Sequence, residues 1–385
     1  MTRLASLAAL AAAVASLLAP AGADAIPAFA RRYRVSCNTC HAPFPRLKPY
    51  GDEFAARGFA LEPGQDPARA QVDLGDDLLQ LPRDFPVAVR FDAFALAQDG
   101  DPVVDFQTPW TFKVLAGGQI GSGVSVYGYY ILEHGEPGKI EDMFLTWSRP
   151  FGAPLDFTIG QFQISDAIAK RELRLSRLDY EVLKVRPGLS RVDLTYDRGV
   201  VLSSDLGPVG AVLTVTNGSG IGPGDPTLDD DKYKNFGLHL SGDVGPVSIG
   251  AYGFVGTELD DTLARNRTVI LGPQVGVSIR DLLDVSVVWL ERRDSNARFL
   301  ASGYGETRTS GGFVELVGYP QGHDGRWVVS ALYNLVDSDD PAADRDSAGL
   351  ALTWLLRRNV RIVAEGDWDL EEEGWAASLG TVAAF

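Results

Sequence analysis

The sequence predicts an all-β fold, a 16-stranded antiparallel transmembrane β-barrel that follows a small N-terminal segment. Three observations predict it. Apolar and polar residues alternate with period two through segments of about ten residues, the length that crosses a bilayer as a tilted strand. These segments number sixteen, an even count, and the connections between them alternate between short and long. Beyond the first 25 residues no apolar run reaches the ~20 that a spanning helix needs, because charges or turn residues interrupt each one.

The strands are expected near 87–97, 109–119, 122–133, 140–149, 155–163, 198–206, 209–217, 235–243, 246–256, 268–279, 283–293, 311–318, 325–336, 346–356, 359–368 and 374–384. Val269, Leu271, Val275, Val277 and Ile279 alternate with Thr268, Gly272, Gln274, Gly276 and Ser278. Val360, Ile362, Ala364 and Trp368 likewise alternate with Arg361, Glu365 and Asp367. Lipid outside and water inside account for one apolar and one charged face, whereas a soluble sandwich buries its apolar face and uses shorter strands. Leu206-Gly207-Pro208, Val244-Gly245 and Arg357-Arg358 are short connections, while those around Asp229, Arg298 and Asp340 are long. Bacterial barrels place short turns in the periplasm and long loops outside, so both ends of the barrel are expected on the periplasmic side. Trp147, Trp289, Trp354 and Trp375 share parity with the apolar faces, as an aromatic girdle requires. Phe385 ends the chain in phase with Trp375 and Leu379 and looks like the terminal aromatic that outer-membrane assembly recognises.

The start of the chain sets the compartment. Arg3, the apolar stretch Leu4 to Leu18 and the small residues of Ala23-Asp24-Ala25 predict a secretory signal peptide, residues 1–25, cleaved after Ala25. Removing it takes away Arg3 and Asp24, which cancel, so the exported chain keeps the net charge of −16. Such a balance excludes a basic groove, and no nucleic-acid partner is expected. Outer-membrane lipid is.

The only two cysteines are Cys37 and Cys40, in Cys37-Asn38-Thr39-Cys40-His41. That spacing predicts one covalently attached haem c: two thiolates two residues apart reach the two vinyl groups, and the adjacent His41 is placed to bind the iron. A disulfide leaves His41 unexplained, and there is no second pair to complete a structural zinc site. Pro27, Phe29 and Tyr33 before the motif, and Phe44, Leu47, Tyr50, Phe54 and Phe59 after it, form an aromatic wrapping, with Gly51 and Gly58 read as breaks around one short helical turn. The expected organisation is thus a small c-type cytochrome segment, 26–80, followed by the barrel, 81–385. The segment is too short for a large core of its own and is expected to lean on the barrel, as a plug in its lumen.

Between the fifth and sixth strands, the insertion from Ser165 to about Thr195 carries Lys170, Arg171, Arg174, Arg177, Lys184 and Arg186. It either folds into the lumen, with its cations on acidic groups or haem propionates, or remains a solvated loop. The outer loops hold acidic clusters at Asp229 to Asp231, Asp260-Asp261, Asp337 to Asp346 and Glu371 to Glu373.

Phe29-Ala30-Arg31, the Cys37–His41 motif, Phe44-Pro45-Arg46-Leu47 and the span Gly51 to Gly58 together resemble the outer-membrane cytochrome–porin fusion family, which includes bacterial iron oxidases. Gly160-Gln161-Phe162, Lys170 to Leu175 and Asp179-Tyr180 are similar to a stretch of those barrels. The resemblance implies electron transfer from an extracellular donor such as Fe(II) through one haem to a periplasmic soluble cytochrome or other redox carrier. It leaves open whether an oxidoreductase activity is the right description. The second expectation is a diffusion porin with a haem-bearing plug or redox sensor. A sixth iron ligand is sought first at His239, whose parity points it into the lumen, then at His323 in a periplasmic turn or at Lys48 of the prefix, with an open site as the remaining alternative. Met143 points at lipid and His134 sits at an outer loop.

Overall fold

The computed structural model describes residues 28–59, 61, 71–72, 75, 81–83, 86–121, 123–221, 229, 231–301 and 305–385. The expected leader, 1–25, lies outside the described residues, as does part of the segment between Phe59 and Pro86.

Sixteen strands close into one antiparallel barrel. They are β1 Val87–Gln98, β2 Asp101–Gly121, β3 Val124–Glu133, β4 Lys139–Ser148, β5 Asp156–Gln163, β6 Tyr196–Leu206, β7 Val209–Thr216, β8 Asn235–Val244, β9 Val247–Leu259, β10 Arg265–Ile279, β11 Leu283–Asp294, β12 Thr307–Gly318, β13 Trp327–Ser338, β14 Arg345–Arg357, β15 Val360–Asp369 and β16 Gly374–Ala384. The seam joins the ends: β16 pairs with β1, and Phe385 and Val89 exchange both backbone hydrogen bonds at 2.7 and 2.9 Å. Closure leaves no sheet edge, the condition for strands in hydrocarbon. The main departure from the expected strands is β2, which begins at Asp101 and projects beyond the short β3.

Parity behaves as expected. Leu238, Leu240, Ile249, Leu271 and Leu352 lie exposed on the outside, while Asn235, His239, Asn266, Thr268, Arg361 and Glu365 are buried inside. Trp327 and Trp354 stack at the turn end, and Trp368 pairs with Trp375 at the loop end, giving two aromatic belts. Trp289 belongs to neither; it lies midway along β11, where its indole N–H donates to Glu291 at 2.8 Å.

The lumen differs from the polar, watery interior the alternation implied. One wall, from β9 to β13, turns apolar residues inward: Phe254, Ile270, Val288, Leu290, Phe313 and Leu332. They pack on Tyr180, Leu183, Val192 and Leu194 of the β5–β6 insertion, which lies inside the barrel. Tyr180 stacks on Phe313 with ring centroids 4.1 Å apart. Polar latches fix the rest: Glu258 accepts from Ser190 Oγ at 2.6 Å and from the Arg191 amide at 2.8 Å, and Arg292 donates to the carbonyls of Val192 and Val185 at 2.7 and 3.0 Å. Of the insertion's cations, Arg171 and Arg174 converge on Asp179, Lys184 pairs with Glu181 at 2.9 Å, and Arg186 with Asp193 at 2.7 Å. Burial would push the Asp179 carboxyl up, but Arg174 and Arg171 outweigh it and hold the group below its ordinary range.

The N-terminal segment enters the lumen from the turn end of the barrel, as expected of a plug. Its described residues form three short helices, α1 Ala28–Tyr33, α2 Cys37–Cys40 and α3 Pro49–Ala56. Phe29 stacks on Phe59 at 5.1 Å and meets Phe54 edge-on, and Phe59 lies on Tyr127 of β3 at 4.3 Å. Arg46 reaches Glu315 of β12 at 2.8 Å and Asp284 of β11 at 3.6 Å. The Ser148 hydroxyl, at the turn end of β4, donates to the Arg57 carbonyl at 3.3 Å. Plug and insertion touch: Lys170 pairs with Asp52 at 2.8 Å, and Ala42 and Leu175 share one apolar cluster with Val317, Tyr319 and Leu355.

Candidate functional site

Pro49 starts α3 at a position where a missing N–H costs nothing, and α3 packs its Gly51 against the α2 turn. Gly51 therefore does not break a helix, as its sequence context suggested. It lies inside α3, where a Cβ would come within 2.4 Å of the Cys40 carbonyl oxygen. Gly58 does end the element, with φ of +64° against Ser125 and Thr146.

Cys37 and Cys40 stand at the two ends of the single helical turn α2, both half-buried free thiols whose ionisation burial pushes up. His41 follows in extended conformation. Its Nδ1 lies 3.0 Å from the Pro45 carbonyl and 3.2 Å from that of Arg46. A carbonyl only accepts, so Nδ1 carries the proton and Nε2 is left with its lone pair, the tautomer that a metal-binding histidine needs. Burial, the largest influence, lowers the imidazole below its ordinary value and favours that neutral form. Phe44 stands edge-on to the His41 ring at 5.5 Å. The donor set of two thiols on one turn and a neutral, oriented imidazole fits a covalently held haem.

The barrel holds this turn in place. Asn38, between the two cysteines, donates to Asp324 at 2.9 Å, and Lys48 pairs with the same carboxylate at 3.3 Å. These contacts hold Asp324 below the ordinary carboxylate range, the Asn38 hydrogen bond first. Asp324 sits in the β12–β13 turn, and Arg358 of the β14–β15 turn donates to its carbonyl at 2.6 Å. The adjacent His323 packs edge-on to Tyr319 at 4.5 Å, with its Nδ1 3.6 Å from Asp281. Its Nε2 is buried without a hydrogen-bond partner among the described residues. Asp324 had no distinguishing mark in the sequence, because an acidic residue in a turn is ordinary until its partner is known.

The other expected positions are elsewhere. His239 does point into the lumen, but its Nε2 lies 3.0 Å from Gln274, whose amide donates to Ile168 of the insertion. His134 packs tilted against Trp110, with ring centroids 3.7 Å apart, at the loop end of β3. Met143 is half-exposed on the outer face, as its parity predicted.

No family model matches the chain, and no curated protein matches it. Solved structures do. An anion-selective porin from Comamonas acidovorans is 11% identical over 78% of this chain and 99% of its own, with a TM-score of 0.58. A loop L8 deletion mutant of OmpT, an outer-membrane protein of Vibrio cholerae, is 12% identical over 78% and 99%, with a TM-score of 0.56. Salmonella typhi OmpF in complex with daunomycin is 10% identical over 78% and 98%, also at 0.56. At such identities the likeness is one of fold. Joined to the closed barrel and its exposed apolar belt, it defines a porin-fold protein of the bacterial outer membrane, with both ends of the barrel on the periplasmic side.

Proposed function

We propose that this porin-fold barrel is an electron-transfer protein, with a haem-bearing plug that accepts electrons from an extracellular donor such as Fe(II) for a periplasmic carrier. The carrying observation is the Cys37–Cys40 turn with His41 fixed through Nδ1 and seated in the periplasmic end of a membrane barrel. A bound haem supplies a one-electron iron couple. Cys37 and Cys40 would attach it and His41 would offer Nε2, while the Asn38–Asp324–Lys48 contacts hold the turn against the wall. Acidic outer loops such as Asp260-Asp261 attract a cationic donor. Of the two histidines, His323 would be the better placed to add a further nitrogen ligand: its Nε2 has no hydrogen-bond partner among the described residues and its neighbour Asp324 grips the motif, whereas His239 is engaged by Gln274.

A second reading is favoured by the fold comparisons, since porins of this architecture are what the barrel resembles: a diffusion channel with the haem-bearing segment as plug or redox sensor. One preparation separates them. In outer-membrane vesicles, Fe(II) added to the oxidised protein brings up reduced c-type absorbance bands if the electron-transfer reading holds, and a Cys37→Ala/Cys40→Ala chain stays silent. Bands that respond to dithionite but ignore Fe(II), with a large planar-bilayer conductance indifferent to reduction, establish the channel instead.

A further inference from the structure

A cavity with about 410 Å³ of atom-free space, part of it open to solvent, lies where β1, β2 and β15 face the tip of the insertion. Four guanidinium groups line it: Arg90, Arg174, Arg177 and Arg361. Arg361 is 4% exposed. Five of the guanidinium nitrogens are buried with no hydrogen-bond partner among the described residues: Nε and Nη1 of Arg361, the same pair of Arg177, and Nε of Arg174. Their positions are held from behind. The Arg177 guanidinium lies over Trp110 at 4.2 Å, and Arg174 is fixed by the Arg171 carbonyl at 2.7 Å and by Asp179 at 3.2 Å.

The acids of the cavity are largely occupied. Asp92 is gripped by Arg90 at 2.7 Å, Glu133 faces His134 at 3.5 Å, and one oxygen of Glu365 accepts the amides of Arg177 and Leu178 at 2.7 and 3.3 Å, while its other oxygen is buried without a hydrogen-bond partner among the described residues. The buried Arg361 and the half-buried Arg177 thus line the cavity with guanidinium nitrogens that have no hydrogen-bond partner among the described residues. A buried charge with unused N–H groups is costly unless a ligand satisfies it, and a planar guanidinium fork matches a carboxylate or phosphate.

We propose that this cavity binds an oxyanion of carboxylate or phosphate type, with Arg361 and Arg177 as its principal ligands. Two sources supply that chemistry. One is a diffusible anion in the lumen. The other is a propionate of the haem held by Cys37 and Cys40, which rests on the reading of the preceding subsection; Phe44, edge-on to His41, packs at the Phe94 and Trp110 rim of the same cavity.

Isothermal titration of inorganic phosphate into the purified full chain tests this, run on haem-bearing protein and on haem-free Cys37→Ala/Cys40→Ala protein. Binding to both forms, weakened at least about tenfold by Arg361→Gln and by Arg177→Gln, identifies a diffusible oxyanion site. Binding to the haem-free form alone identifies the propionate, and Arg361→Gln then lowers the midpoint potential of the haem-bearing chain while Arg361→Lys largely restores it. Phosphate that binds neither form, or binds with an affinity both substitutions leave unchanged, overturns the proposal. Haem content is read separately by absorbance, so a chain that carries no haem overturns the cytochrome reading while the titration still decides the cavity. Heat-modifiable gel mobility confirms that each variant retains the barrel.

Discussion

His41 and Gly51 show how much chemistry rests on single atoms of the plug. The Nδ1 proton given to Pro45 and Arg46 orients the ring, and the missing Cβ of Gly51 lets α3 close on the Cys40 carbonyl. Gly51→Ala is therefore expected to destabilise the plug by about 1–3 kcal/mol, the usual cost of overpacking, and to lower the fraction of chains that carry covalent haem, measured as haem absorbance per chain. If His323 supplies a further haem ligand, His323→Ala should leave haem attached and confer cyanide binding beyond that of the parent protein; His239→Ala should change neither. The candidate attachment motif was legible at this scale because it is local, two cysteines two residues apart with His41 beside them. The function of Gly51 was not, since a glycine that permits close packing and one that breaks a helix look identical until the opposing backbone is known.

At the scale of elements, the β5–β6 insertion turns an open cylinder into a filled one. Its cations were visible in the sequence, but their partners were not distinguishable from solvent: Asp179 lies within the insertion, Asp52 in the plug, and the latches Glu258 and Arg292 on strands far along the chain. The apolar inward faces of β9 to β13 were equally hidden, because period two gives which residues share a face and not what lies against it. Asp179→Asn removes the shared partner of Arg171 and Arg174 and should raise planar-bilayer conductance. The pH response has a definite sign. A carboxyl held below its unfolded value, near ~3.9, stabilises the seated insertion above that pH, and the contribution is lost as pH falls through the lower folded value. Conductance is thus expected to hold steady from neutral pH to about 4 and to rise only below it; a rise between pH 7 and 5 would point to a different latch.

For the whole molecule, the strand count, the antiparallel order and the direction from which the plug enters were legible, because a bilayer imposes strand length, parity and alternating turns together. The extension of β2 and the midway position of Trp289 were not, since both depend on register with neighbours. The plug is fastened to the barrel through Arg46, which bridges Glu315 and Asp284. Removing it leaves the Glu315 carboxylate buried without a counter-charge, with the Tyr180 hydroxyl as a remaining hydrogen-bond donor, so Arg46→Ala is expected to cost up to about 3–5 kcal/mol of plug seating and to expose the Cys37–His41 turn to protease in a limited-digestion assay.

The central claim, that this outer-membrane barrel carries a covalent haem on its plug, is tested most directly by one spectrum: the reduced-minus-oxidised absorbance of the purified full chain after acid–acetone extraction, beside Cys37→Ala/Cys40→Ala. The account predicts c-type bands that survive extraction in the parent chain and vanish in the variant. Their absence from the parent, when the chain is produced with a working haem-attachment pathway, would contradict it and leave a plugged porin-fold barrel with an ordinary cysteine pair.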